Sequence, residues 1–461
     1  MHQPNVPGRG IVASYSPGFW ALVVGIGVAA GLVGAVLLEL LKGVERLSWS
    51  FSSGTFLAAV EASSDARRVT VLLLAGVIAG AGVLVLRRLS TAGGGEISEA
   101  LWLHRELPLR ASLARGALSI VTVAMGASLG REGAPQLAGA AIASRASERF
   151  GVPDWQRRLL VACGAGAGMA AVYNVPLGGA VFALEVLLGT LSLPLVLPAL
   201  ATSLVASAVA WIAIPDKPIY HVPAFGVSAT QMVWAALIGP LAGLVAVSWV
   251  RLVGRANRLR PSGWARGVAP IVVFTLLGVL AIAYPQVLGN GQDVVQLAVL
   301  GKLSLGLLAI LFVLKPLATA ACLGSGSPGG LFTPTLALGV LFGGLCGHVW
   351  TLIWPGAPAG SFALIGGGAV LAAAMQGPLA AVVLVLELTR TADGLIVPLL
   401  LAIVEATVLA RVLRAPSVYS ARIGDTTAER VGELAIPANV PEPPPSPAPA
   451  PQPAGDPSSG A

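Results

Sequence analysis

The stretch Gly130-Arg131-Glu132-Gly133-Ala134-Pro135 decides how this chain is interpreted. It places a formal ion pair between two glycines, directly after the apolar run 118–129 and before the small-residue segment 136–146. Charged groups inside a membrane are costly unless they face water, a partner or a transported ion, so they indicate a functional site. The alternative is a short loop in which Glu132 only favours the first turn of the next helix. The stretch alone supports both interpretations.

The composition is that of a polytopic membrane protein. The chain has 461 residues, of which 56% are hydrophobic and 11% are charged, far below the roughly 25% charged residues of soluble domains. Apolar runs follow one another with short interruptions from 19 to 410. We therefore predict one multi-pass domain in the cell membrane, residues 17–425, between an N-terminal segment (1–16) and a Pro/Ala-rich tail (426–461) that we expect to be disordered.

The charges and cysteines narrow the range of partners. The net charge of +7 comes from arginines at the ends of apolar runs, which is the usual placement of cytoplasmic anchoring loops. We therefore expect a surrounding lipid bilayer and no nucleic-acid partner. Cys163, Cys322 and Cys346 are widely spaced in apolar surroundings, and they predict neither a metal site nor a disulfide. The sequence indicates no cofactor.

Several apolar segments are too short or too broken to cross a bilayer. A spanning helix needs about 20 apolar residues, and long runs such as 159–184 and 362–386 meet that length. The runs 118–129 and 303–314 are short, and Pro, Gly and Ser interrupt 315–335. Interrupted helices are tolerated in a membrane only where they are buried in protein or line an aqueous cavity. The pattern predicts half-helices that meet at a site near the midplane.

An internal repeat relates the two parts of the chain. The dipeptides Pro176-Leu177 and Pro378-Leu379 lie 202 residues apart. Nine residues after each proline, at the end of an apolar stretch, comes a glutamate, Glu185 in the first copy and Glu387 in the second. Equivalent positions in two copies predict the same structural role for both glutamates.

Adding the same offset of 202 residues to the stretch 130–135 gives positions that fall in a second Gly/Pro-rich break, Gly330-Leu331-Phe332-Thr333-Pro334-Thr335. Matching interrupted segments in two halves are the best sequence indication of a binding site in a transporter. We therefore predict an all-α polytopic membrane protein with two inverted structural repeats of tilted and broken helices. The repeat halves are about 17–214 and 228–420.

The Gly-rich segment 324–334 favours an anion as the ligand. Its glycines allow the backbone to come close to a ligand, and a helix that begins here would direct unpaired N–H groups and a positive dipole end at one point. No acidic residue occurs from Lys315 to Phe362. A flexible interhelical loop is the alternative. A Walker A loop is excluded because no Gly-Lys-Ser/Thr follows.

Together these motifs resemble those of the CLC family of chloride channels and proton-coupled chloride transporters. The stretch 130–135 resembles the family's GREGP motif, and 330–334 resembles its GxFxP motif. Three further segments are similar to family segments in the family's order: 170–185, 373–387 and 416–420. The resemblance covers about 31–419 and implies a homodimer with one pore in each subunit.

The resemblance also implies roles for individual residues. Glu132 is similar to the family's gating glutamate, whose carboxylate occupies an anion site when charged and leaves it when protonated or displaced. A carboxylate is itself an anion, so helix N-terminal amides that bind chloride also bind it. Tyr419 would donate its hydroxyl, and Leu331 and Phe332 their amides, to a central anion. The full set predicted to bind chloride or a related anion is Ala92, Gly93, Arg131, Gly133, Leu331, Phe332 and Tyr419.

Two departures from the family pattern bear on mechanism. The family's first signature, GSGIPE, corresponds to 91–97 here, with Ala92 in place of the anion-binding serine. That side-chain donor is lost unless Thr91 or Ser90 replaces it. Val186 lies where proton-coupled members often have a proton-accepting glutamate. Because an aliphatic side chain cannot carry a proton through a dry interior, we favour a passive channel, with a proton-coupled chloride antiporter as the alternative.

Two other functional classes fit the sequence less well. Gly126-Ala127-Ser128-Leu129-Gly130 matches the G-x-S-x-G elbow of hydrolases, but the context is helical and none of the four histidines has an evident Asp partner. We therefore expect no enzyme. A cation-coupled secondary transporter would place acidic residues at its broken helices, whereas the second break has none.

Overall fold

A computed structural model describes residues 15–50, 54–89, 96–103, 107–390 and 393–423. Several predictions fall on residues outside these ranges. They are residues 1–14 of the N-terminal segment, the signature positions Ala92 and Gly93, and the tail 426–461.

Within the described ranges the chain forms seventeen α-helices. The first half contains α1 (Pro17–Trp49), α2 (Phe56–Ala62), α3 (Asp65–Leu89), α4 (Ile97–Trp102), α5 (Leu109–Ala124), α6 (Gly133–Arg149), α7 (Asp154–Tyr173), α8 (Pro176–Val181) and α9 (Leu193–Ala210). The second half contains α10 (Ala229–Arg258), α11 (Ala265–Ala283), α12 (Gln292–Val299), α13 (Leu305–Gly324), α14 (Phe332–Ile353), α15 (Ala359–Met375), α16 (Pro378–Thr389) and α17 (Ile396–Val412). Seven of them, α1, α3, α9, α10, α11, α13 and α14, are long and apolar enough to cross a membrane. The predicted all-α, multi-pass fold is confirmed.

The helices of the two halves correspond in order and in packing. Helix α1 packs on α9 as α10 packs on α17, and α6 packs on α7 as α14 packs on α15. The halves meet at Gly130 and Gly330, which form an antiparallel pair. The N–H of each glycine donates to the carbonyl of the other, with both N···O distances at 2.8 Å. The fold therefore consists of two inverted repeats, as predicted.

Two predicted spans are each divided into two helices. The run 159–184 breaks after α7 at Asn174, whose φ is 54°, and the run 362–386 breaks after α15 at Gln376, whose φ is 59°. A left-handed residue at this position ends a helix. A proline then begins the next helix, α8 or α16, at the position where its missing N–H does no harm. The prediction that each run is one continuous span was wrong.

The run 303–314 belongs to a longer helix than the sequence predicted. The run 303–314 was expected to be too short to span, but α13 continues through Lys315 and Pro316 to Gly324. The Lys315 ammonium is buried and donates to three backbone carbonyls of the 287–289 turn at 2.8, 3.0 and 2.8 Å. These bonds satisfy the charge inside the protein, so the helix need not end there. The second break therefore begins only after Gly324.

The two repeat glutamates stabilise helices of the opposite half. Glu185 lies in a π-helical turn that continues α8, and its carboxylate accepts from the N–H groups of Leu379 and Ala380 at the start of α16, at 3.2 and 2.6 Å. Glu387 accepts from the equivalent amides at the start of α8, at 3.1 and 2.6 Å. A carboxylate satisfies the free N–H groups at a helix start and complements the dipole there. The predicted structural role is thus a reciprocal cap between the halves.

We predict that Glu387→Gln and Glu185→Gln each lower the free energy of unfolding by about 1 kcal/mol, because each loses one charged acceptor from a helix start. Unfolding of the purified protein in detergent would measure the change. The matched control is Glu61→Gln, since the Glu61 side chain is exposed. Equal stability of all three variants would contradict the assignment of the two glutamates as caps.

Candidate functional site

The two helix breaks lie against each other, so that α6 and α14 begin at the same point. Backbone contact between Gly133 and Gly330 brings them together: a Cβ added to Gly133 would lie 2.9 Å from the Gly330 nitrogen. Any larger residue would separate the two helix starts. The positive ends of two helix dipoles and several free N–H groups are thereby directed at one buried place.

Glu132 fills this place. Its side chain is fully buried, and Oε1 accepts from the Phe332 N–H at 2.7 Å. Oε2 accepts from the Tyr173 hydroxyl at 3.0 Å and from Thr333 Oγ1 at 3.2 Å. Although Glu132 directly precedes α6, its side chain makes no capping bond to that helix. The carboxylate therefore binds Tyr173 of its own half and Phe332 and Thr333 of the opposite half, and the interpretation that it only caps α6 is excluded.

Arg131 does not neutralise this carboxylate. Its guanidinium lies over the Tyr173 ring, 5.3 Å from the centroid, a distance typical of cation–π contacts. Among the ion pairs of the described residues, none joins Arg131 to Glu132, so the formal ion pair expected from the sequence does not form. The negative charge of Glu132 is instead held by N–H and O–H donors.

Of the other predicted anion-binding residues that the structure describes, Leu331 and Phe332 lie at the start of α14 and Tyr419 lies farther from the carboxylate. Leu331 precedes α14, and its carbonyl accepts from Thr335, whereas the adjacent Phe332 supplies the N–H that binds Glu132. The Tyr419 ring packs on Phe182, and its hydroxyl lies 4.0 Å from the Met375 sulfur rather than on the carboxylate. Tyr419 borders a cavity that lies against the two break glycines, Gly133 and Gly330.

The cavity is small, and charged residues form part of its wall. Its volume is about 50 Å³, more than the ~10–15 Å³ needed to hold a water molecule. Arg115 and Arg422 line it, and Arg422 pairs with Glu96 at 2.7 Å. Three of the residues that line it carry buried polar atoms without a hydrogen-bond partner: Ser119 Oγ, Gln136 Nε2 and Arg422 Nε. Spare donors and two arginines make this wall suited to an anion.

Motif reasoning missed Tyr173 and Thr333. Both lie inside segments that carried the resemblance, Tyr173 directly before the Asn174 turn and Thr333 directly after Phe332. The available signal was a hydroxyl-bearing residue in an otherwise apolar or glycine-rich motif. Their role could not be assigned from sequence because the two hydroxyls, 2.5 Å apart, belong to residues separated by 160 positions.

The fold and site define a polytopic membrane protein in which two inverted repeats surround a buried carboxylate with N–H and O–H donors. Comparison with known proteins gives the family. The family model described as voltage gated chloride channel matches residues 75–411. The chain is 32% identical over 406 residues to the voltage-gated ClC-type chloride channel ClcB of Salmonella typhimurium, covering 86% of this chain and 96% of that protein. The protein therefore belongs to the CLC family of chloride-transporting membrane proteins.

Solved structures agree with this fold. A slow cyanobacterial Cl-/H+ antiporter is similar with a TM-score of 0.79 at 20% identity, covering 91% of this chain and 99% of the other. A CLC-type fluoride/proton antiporter is similar with a TM-score of 0.70, also at 20% identity, covering 88% and 97%. At this identity the likeness concerns the fold alone.

The close packing at the site predicts a strong effect of Gly330→Ala. The added Cβ would lie 2.2 Å from Glu132 Oε1 and 2.8 Å from the Gly133 nitrogen. We expect a loss of about 1–3 kcal/mol in the free energy of unfolding, as for other overpacked sites. Gly306→Ala in α13 is the control, because nothing lies within 4 Å of its Cβ position. A Gly330→Ala protein as stable as this control would show that the two breaks are not tightly packed.

Proposed function

We propose that this protein is a passive chloride channel in which Glu132 is the gate. One observation carries the proposal: a fully buried carboxylate is held by backbone and hydroxyl donors at the meeting point of two helix starts. Donors of this kind bind chloride as they bind a carboxylate, because both are monovalent anions. The carboxylate and the transported anion therefore compete for one place.

Gating follows from this competition. While Glu132 is ionised it occupies the donors and blocks the path. When it is protonated, or displaced by chloride, the side chain leaves and an anion takes over the donors. The cavity bordered by Tyr419 and Arg422 is the next binding position for that anion along the permeation path. The two helix starts supply positive electrostatic potential between the two positions.

The environment of Val186 supports a channel over an exchanger. Val186 is buried and packs against Gly377, where an added Cβ would lie 2.6 Å from its Cγ2. The neighbouring Glu185 uses both carboxylate oxygens to cap α16, so it is engaged rather than free to pass protons. The curated relative from Salmonella typhimurium is also described as a channel.

A proton-coupled chloride antiporter is the second candidate. It is favoured by the solved structures that share the fold, both described as antiporters. Protons would then be a second cargo. A cation-coupled transporter is less suited to the site, because the backbone N–H groups and positive dipole ends of two helix starts disfavour a cation there, and the described residues include no cluster of three or more metal-ligating side chains.

We also propose a homodimer in the lipid bilayer, as the family resemblance implies. Helices α9 and α17, which correspond in the two repeats, expose large apolar side chains. Leu193 and Leu204 on the first, and Val404 and Val412 on the second, are 53 to 77% exposed. Such a face needs a hydrophobic cover, and a second copy of the chain provides one where lipid does not.

Neutralising the gate should increase anion flux. We expect Glu132→Gln, reconstituted in liposomes, to release chloride about tenfold faster than the wild type near neutral pH, because the neutral amide loses the charge-assisted bonds to the donors. A chloride electrode measures the efflux, and Glu61→Gln is the control. Absence of chloride flux, or flux carried by sodium or potassium, would refute the proposal.

The two mechanisms differ in their response to a proton gradient. A passive channel lets chloride move only down its electrochemical gradient. We therefore expect that a pH difference across the vesicle membrane, with the voltage clamped by potassium and valinomycin, drives no net chloride accumulation. Uphill chloride movement under these conditions would establish the antiporter instead.

A further inference from the structure

We propose that the hydroxyls of Tyr173 and Thr333 are ligands of the transported halide and set its selectivity. The inference rests on the proposed gating role of Glu132 and deepens it, since it names the side chains that hold the anion once the carboxylate has left. Neither residue belongs to the set predicted from the motifs.

The two hydroxyls converge on a single point. Tyr173 Oη and Thr333 Oγ1 lie 3.0 and 3.2 Å from the same carboxylate oxygen of Glu132. They also lie 2.5 Å from each other, where either can be the donor. Both side chains are almost completely buried, so packing fixes their position whether or not the carboxylate is present.

The Thr333 hydroxyl bonds to the site and not to a backbone carbonyl, because Thr333 is the second residue of α14 and no carbonyl of that helix lies four residues before it. A threonine inside a helix commonly turns its hydroxyl to the carbonyl four residues earlier. Thr335 does so with Leu331, at 2.6 Å, and Thr202 with Pro198, at 2.7 Å. The hydrogen-bond partners of Thr333 Oγ1 are instead Glu132 and Tyr173. The hydroxyl is thus directed at the site rather than at its own helix.

Because the two hydroxyls are hydrogen-bonded to each other, one of them donates to the other and the second donates outward. Departure of the carboxylate therefore leaves two buried donors facing one place, the Phe332 N–H and one hydroxyl. Buried donors without an acceptor are strongly unfavourable. A halide accepts both bonds and also restores the negative charge that the carboxylate carried. The Arg131 guanidinium on the face of the Tyr173 ring adds positive charge close by. The vacated place therefore suits a small monovalent anion.

The hydroxyls also discriminate among anions. Donors fixed by packing favour an ion that concentrates its charge at one centre, such as chloride, over thiocyanate, which spreads its charge over three atoms. A site built around hydrogen bonds rejects ligands that cannot satisfy them. The sequence places Ala92 where the family has an anion-binding serine. Tyr173 and Thr333 supply hydroxyl donors from other positions in the chain.

The test measures chloride and thiocyanate efflux from proteoliposomes for Tyr173→Phe and Thr333→Val. Loss of a hydrogen bond to a charged group should reduce the chloride-to-thiocyanate flux ratio about tenfold in each variant. Tyr15→Phe and Thr202→Val are matched controls, because each removes a hydroxyl that donates to a backbone carbonyl and not to Glu132. Both controls and Thr333→Ser, which keeps its hydroxyl, should retain the wild-type ratio.

The outcomes separate this inference from the gating proposal. If the flux ratio is unchanged in both hydroxyl variants while Glu132→Gln raises efflux, the gate stands and the hydroxyl assignment is wrong. If the ratio falls while Glu132→Gln has no effect, the anion site stands and the gate is wrong. Should Thr333→Val fail to fold, Thr333→Ala compared with Thr333→Ser decides, and equal ratios in that pair would overturn the assignment for Thr333.

Discussion

The structure depends on one buried negative charge that has no positive partner. Glu132 is held by an N–H from Phe332 and by two hydroxyls, all from elements distant in sequence. A buried charge of this kind is tolerated only when its hydrogen-bonding capacity is satisfied. Satisfying it requires two helix starts to meet, and that in turn requires glycine at 130, 133 and 330, where a Cβ would strike the carboxylate or the opposite backbone.

Backbone groups also satisfy three other charged side chains, of which Lys315 is buried and the two glutamates are partly buried. Glu185 and Glu387 accept from backbone amides of the opposite repeat, and Lys315 donates to backbone carbonyls. These charges are solvated by backbone dipoles, not neutralised by counter-charges. Because the glutamate bonds cross between halves, separating the repeats would expose unsatisfied groups on both sides. Hydrogen bonds from backbone amides to carboxylates, the kind of interaction that holds Glu132, therefore also hold the repeats together.

The sequence predicted the elements whose signals are local. The two Gly/Pro-rich breaks, the repeated proline and glutamate pairs, and Glu132 in its glycine setting could each be recognised within a few residues. The continuity of α13 could not be recognised in this way, because it depends on hydrogen bonds that the Lys315 ammonium donates to a turn preceding α12 in the chain. The divisions after Tyr173 and Met375 rest on single left-handed residues, which hydropathy does not detect.

The site residues divide in the same way. Phe332 was predicted because helix starts bind anions through the backbone, whatever the side chain is. Tyr173 and Thr333 were not predicted. A hydroxyl can bond to its own helix, to another side chain or to a ligand, and only the tertiary structure determines which of these partners it has. What the structure adds is therefore chemical: around Glu132 it places more fixed donors than the motifs imply. At the position where proton-coupled members of the family often have a proton-accepting glutamate, this chain has the aliphatic Val186. The donors fixed around Glu132 and the aliphatic side chain at 186 are the two features on which the proposal of passive anion conduction rests, because the first suit an anion and the second cannot take up a proton.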